Sequence, residues 1–282
     1  MPSPAWICLT CGVQHAATPE PPKACPICED ERQYVGWDGQ RWTTADELLA
    51  LGHRCDIRQE EPGLLGIGVS PSVGIGQRAL VVVHPEGNVM WDCIPIADGP
   101  AREAVTRVGG LAHICFSHPH FYGAAVDWAE AFGARIWIPA PDRMWVMRPS
   151  PLIEVFEQPS VSLGEGLTLT VTGGHFDGAA VLHWAAGAGG RGALLTGDTV
   201  TVVPDRRWVS FMWSYPNLIP LDPKTVTQVA DRVATLPFER IYGGWWGRVV
   251  LEDGPGAVRR SAQRYLARLS GARPGTEPEA VL

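Results

Sequence analysis

Cys8-Leu9-Thr10-Cys11 and Cys25-Pro26-Ile27-Cys28 are separated by 13 residues in a chain of 282. Two thiolates three positions apart on a tight turn converge on one ion, and two such knuckles complete a tetrahedral sulfur cage. The alternative is two unrelated pairs of reduced thiols. Residues 1–40 are rich in turn formers and carry no long apolar period, so a closed four-cysteine site would supply folding energy that the segment lacks. That favours a structural zinc. Sulfur ligands alone do not choose between zinc and iron, and iron stays open as the alternative.

A second constellation lies further along. In AHICFSHPHFYG, LTLTVTGGHFDG and GALLTGDTV an apolar strand ends and a polar side chain follows: His118 with His120, then His175, then Asp198. Positions i and i+2 of an extended backbone project to one side, so His118 and His120 can reach one ion together. Small residues before His175 and Asp198 let the chain turn beside it. Three neutral imidazoles with an open fourth position form the ligand set of a hydrolytic zinc site. Each segment alone is more often a turn or a satisfied core group than a metal ligand.

The elements that must position these residues read as strands at 64–69, 79–83, 89–93, 112–116, 135–138, 167–172, 180–184, 193–196 and 240–242. Helical patterns fall at 101–108, 122–132, 141–147, 223–235 and 255–269. Strand hairpins mixed with crossover helices predict α/β layers. Thr44 with Glu47 forms a capping box and Gly52 a stop, giving a short connecting helix. The expected organisation is a four-cysteine module over 1–40, a connecting helix and linker over 41–62, the main domain over 63–272 and a flexible tail over 273–282.

WICLTCG…PPKACPIC resembles the rubredoxin-like module of rubrerythrins and fits a zinc ribbon equally well. The His-x-His segment, a His 55 residues after it and Thr-Gly-Asp about 23 later resemble the metallo-β-lactamase superfamily from near 63 to near 270. The resemblance implies a four-layer αββα sandwich with the metal site at one edge between the sheets. It also implies that His118, His120 and His175 match the first-metal histidines and Asp198 the bridging carboxylate. Where the family runs His-x-His-x-Asp-His, this chain has Tyr122 and Gly123 in place of the Asp and the final His. The late Gly-His segment corresponds to Tyr242-Gly243-Gly244-Trp245-Trp246-Gly247, which has no His. With three second-metal contacts gone, the expectation is one zinc held by three His plus Asp198 or water. The missing Asp is the residue that orients the nucleophile in family hydrolases.

The implied activity is metal-dependent hydrolysis of a small ester, thioester or amide, the substrate itself unspecified. Two alternatives are a catalytically degenerate binding module with metal only at the four-cysteine site, and a rubredoxin-type redox protein. Tyr122 is a candidate phenol at the site, with packing as its other reading. Asp177 is a candidate partner for a ligand imidazole, or simply part of an Asp-Gly turn. The aromatic stretch 211–217 stands where it could roof the site, or equally is a core loop anchored by its aromatics. Trp245 and Trp246 either wall off the vacant second-metal position or belong to the core. His84 and His183 read as structural, and Cys55, Cys93 and Cys115 as reduced, partly buried thiols. A net charge of −7 offers no footprint for nucleic acid. No apolar run is long enough for a membrane span and no signal peptide opens the chain, so the expectation is a cytoplasmic protein acting on a small molecule.

Overall fold

The computed structural model describes residues 3–271, and the tail expected over 273–282 lies outside the described residues. Two sheets face each other. The first has seven strands in the order Ile153–Phe156, Arg135–Pro139, His113–Cys115, Val89–Trp91, Ala79–Val82, Leu64–Ser70, Arg54–Glu61. The second has six: Ser160–Gly164, Leu167–Val171, Ala180–Trp184, Ala193–Gly197, Arg240–Gly243, Val249–Val250.

Side-chain alternation along the central strands produces the layers. Leu80, Val82 and Trp91 of the first sheet meet Leu169, Leu182 and Leu195 of the second in the space between them. Their sequence neighbours point outward. Val81, Met90 and Ile114 pack under helices Gly99–Arg107 and Ala125–Phe132, while Val181, Leu194 and Ile241 pack under Pro223–Ala234 and Gly254–Leu269. A strand apolar on both faces is what two flanking layers require. The architecture is the expected αββα sandwich.

A third sheet of three strands, Gln14–Ala17, Ala5–Cys8 and Trp42–Thr43, forms the small four-cysteine module. Its cysteines join the same apolar cluster as Ile67, Val81 and Ile114 of the sandwich, so the module borrows the core that its own sequence cannot build. Backbone bonds reinforce the seam, from Gln14 N to the Gly123 carbonyl at 3.0 Å and from Ala16 N to the Met147 carbonyl at 3.0 Å.

The segment 41–62 contains the expected helix, Ala45–Ala50, with both arms of the Thr44–Glu47 capping box in place. It contains more besides. Trp42–Thr43 completes the small sheet, and Arg54–Glu61 is the edge strand of the seven-stranded sheet. The helical pattern at 122–132 begins at Ala125 after a short 3-10 turn, Pro119–Phe121, and that at 141–147 is a 3-10 turn, Ala140–Trp145. Among the described residues no helix is long and apolar enough to cross a membrane.

Candidate metal centres

The four N-terminal cysteines close on one point. Cys8 ends its strand, Cys25 caps the helix Pro26–Glu29 and Cys28 lies within it. Their sulfurs stand 3.6 Å apart for Cys8 and Cys28 and 3.9 Å for Cys11 and Cys25, and all four lie within 4.8 Å of one another. A disulfide is far shorter, whereas tetrahedral sulfur ligands at zinc stand about 3.8 Å apart. Mutual hydrogen bonding, Cys11 foremost, draws the Cys8 thiol below its ordinary range. The Gln40 amide donates to Cys8 Sγ at 3.2 Å. The donor set fits an ion closed in by four sulfurs.

At the far end of strands His113–Cys115 and Leu167–Val171 the three histidines converge, one ring nitrogen of each lying within 4.8 Å of the others. All three are 1–2% exposed, and Nε2 of each is buried without a hydrogen-bond partner among the described residues. Such nitrogens are costly to leave unpaired, and the other ring nitrogen explains two of them. His175 Nδ1 lies 3.1 Å from the Met212 carbonyl. A carbonyl only accepts, so Nδ1 carries the proton and Nε2 presents a lone pair. Ser117 Oγ donates to Asp92 Oδ1 at 2.8 Å and therefore accepts from His118 Nδ1 at 2.9 Å, fixing the same tautomer there. Burial holds His118 and His120 well below the ordinary imidazole range and His175 at about 4. Three neutral imidazoles with bare, convergent nitrogens fit a divalent ion such as zinc.

Asp198 takes a different position from the expected one. Its Oδ1 stands 3.1 Å from His118 Nδ1, the ring nitrogen that faces Ser117, and it is not one of the converging ligand atoms. The backbone sets this placement: Gly197 has φ +56, and a Cβ there would meet Ser117 Oγ at 2.1 Å. Tyr122 is also elsewhere. Its ring packs on Phe116 with centroids 4.6 Å apart, beside a cavity of about 30 Å³ lined also by Val126 and Ile138. Burial raises its phenol well above the usual range. Asp177 is exposed on its turn, and the Met212 carbonyl takes the role expected of it. The stretch 211–217 does cover the site, with the Tyr215 ring 5.5 Å from His175 and its hydroxyl donating to the Asp198 carbonyl at 2.7 Å. Trp245 stacks edge-on against Phe121, itself 4.4 Å from the His118 ring. His183 and His84 bond to the carbonyls of Pro237 and Glu165, as structural residues do. Burial pushes the Cys55 thiol up to about 12 and also raises Cys93 and Cys115.

Two functional neighbours carried different amounts of signal. Asp92 follows the apolar strand Val89–Trp91, the same strand-then-polar arrangement that marks the histidines. Arg32 carried none. Its Nη1 reaches the His175 carbonyl, 143 residues away, at 3.4 Å.

The family model for the metallo-beta-lactamase superfamily matches residues 74–245. The chain is 47% identical over 268 residues to the uncharacterized protein YmaE of Bacillus subtilis (strain 168), covering 95% of this chain and 97% of that one. At that coverage the match reaches into the four-cysteine segment as well as the sandwich. Among solved structures, the metallo-beta-lactamase DIM-1 is similar with a TM-score of 0.57 at 13% identity, covering 77% of this chain and 98% of that one. FIM-1 from Pseudomonas aeruginosa, in its mono-zinc form, gives a TM-score of 0.54 at 16% identity, covering 78% and 97%. At such identities the likeness is one of fold. With the sandwich, the match across its centre and the histidine order in agreement, this chain belongs to the metallo-β-lactamase superfamily.

Proposed function

We propose that the chain is a mononuclear zinc hydrolase acting on a small ester, thioester or amide, with a second, structural zinc in the four-cysteine module. The observation that carries this reading is the set of three buried, unpartnered Nε2 atoms on His118, His120 and His175. A zinc ion held there supplies Lewis acidity for attack of water on a carbonyl. The chain's own residues prepare the site. Met212 and Ser117 hold two imidazoles in the ligating tautomer, and Asp198 Oδ1 lies 3.1 Å from the same His118 Nδ1 that faces Ser117. Phe176 packs its ring 5.0 to 5.6 Å from all three imidazoles and excludes water behind them.

Purified protein is expected to contain two zinc per chain and to hydrolyse at least one member of a chromogenic ester, thioester and amide panel. His175→Ala should remove one zinc and all turnover while the sulfur-bound ion remains. A variant that keeps both metals and full activity would overturn the assignment.

One observation favours a second reading, a binding module without catalysis: the three histidines and Asp198 are each at most 4% exposed. That reading expects metal in the four-cysteine module alone. A red iron–thiolate absorption would instead point to the redox alternative.

A further inference from the structure

The four-cysteine module ends at the three-histidine site. Arg32, four residues after Cys28, lies over the Phe176 ring at 3.9 Å and the Trp213 ring at 4.5 Å from their centroids. Its Nε and Nη2 fork onto the two oxygens of Asp30 at 2.6 and 3.0 Å, while Nη1 donates to the His175 carbonyl. The guanidinium is thereby held by the module at one edge and holds the histidine's backbone at the other. The next residues grip the loop that supports the imidazole. Ser214 Oγ donates to the Arg32 carbonyl at 3.0 Å, and the Asn217 amide donates to the carbonyls of Glu31 and Gln33, both at 3.0 Å. Met212, whose carbonyl fixes the His175 tautomer, belongs to that loop. Both supports of His175 are thus tied to the four-cysteine module.

We propose that Arg32 is a positioning residue for the three-histidine centre, and that through it the four-cysteine module sets the metal affinity of that centre. The module's residues 31–33 and the histidine centre are then one structural unit. This rests on the reading that the three histidines bind a divalent ion. The planar fork is essential, because a lysine would keep the charge but could not engage Asp30 and the His175 carbonyl together.

The test is cobalt(II) titration of the metal-free full chain, followed by visible absorption. Thiolate charge-transfer bands report the four-cysteine centre and weaker d–d bands the histidine centre. Zinc competition then gives each affinity. Arg32→Met and Arg32→Lys should both weaken the histidine centre by about tenfold or more, as loss of a group behind a ligand does, and leave the affinity of the sulfur centre unchanged. Unchanged affinity in both variants, or full rescue by lysine, would overturn the proposal. If Arg32→Met fails to fold, Asn217→Ala decides, since it cuts two ties to the module and touches neither ligand set; a wild-type histidine affinity there also overturns it. If the wild-type protein takes up cobalt only at the four-cysteine centre, the reading beneath has failed, and that result is distinct because it appears before any substitution.

Discussion

Gly123 stands where the resemblance to the superfamily places a final signature histidine, and its backbone leaves no room for one. It has φ +48, and a Cβ would lie 2.6 Å from the Ile94 carbonyl oxygen. Gly123→Ala is therefore expected to cost about 3 kcal/mol or more, the left-handed penalty adding to a clash against backbone, as read from urea unfolding. Gly123→His should fail to restore a second metal in the same preparation. Asp142 makes a different prediction. It is buried, with Oδ1 accepting from Gly178 N at 2.9 Å and Oδ2 unpartnered among the described residues. Burial pushes it up to about 7. Its folded value exceeds its unfolded value of about 4, so the stability it contributes is full below pH 4 and is lost as pH rises toward 7. Asp142→Asn should melt higher than wild type at pH 8 by the equivalent of ~2–4 kcal/mol, with the gap closing near pH 4. At this scale the three convergent histidines were legible because spacing and strand ends mark them. Asp198 was legible as a site residue, but which ring edge it would face depends on the Gly197 turn.

Strands apolar on both faces, such as Ala180–Trp184 and Ala79–Val82, announce themselves as short hydrophobic runs. Arg54–Glu61 does not. Its sequence, RCDIRQEE, is mostly charged and partly exposed, which reads as linker and is also how an edge strand discourages pairing with another chain. What marks it as a strand is long-range. Trp246 lies across its neighbour at Gly66 and Gly68, where added Cβ atoms would stand 2.6 and 2.7 Å from the indole. Arg58 and Arg78 flank the same ring at 4.2 and 5.3 Å. Gly66→Ala should thus displace a large, stacked side chain and lower the unfolding free energy by about 1–3 kcal/mol. An unchanged denaturation midpoint would show that the indole is free to move.

The whole molecule differs most from a reading of its parts. Cysteine spacing marks a separate module, and the histidine order marks a sandwich, but nothing in either motif shows that they share one core. Ile27 and the four cysteines pack in the cluster that holds the outer face of the seven-stranded sheet. Calorimetry should accordingly show a single transition, and Cys8→Ser or removal of the sulfur-bound ion by a chelator should lower that one transition instead of melting a small module alone. Two separable transitions would refute the shared core. Gly123 sits at this junction: its carbonyl accepts the Gln14 N–H of the module, and the next residue's N–H donates to the Ile94 carbonyl. With the small module docked on the very turn where the resemblance places a second-metal histidine, any side chain there would have to displace the Ile94 turn and the seam together, so the contact that docks the module also closes that position to a ligand.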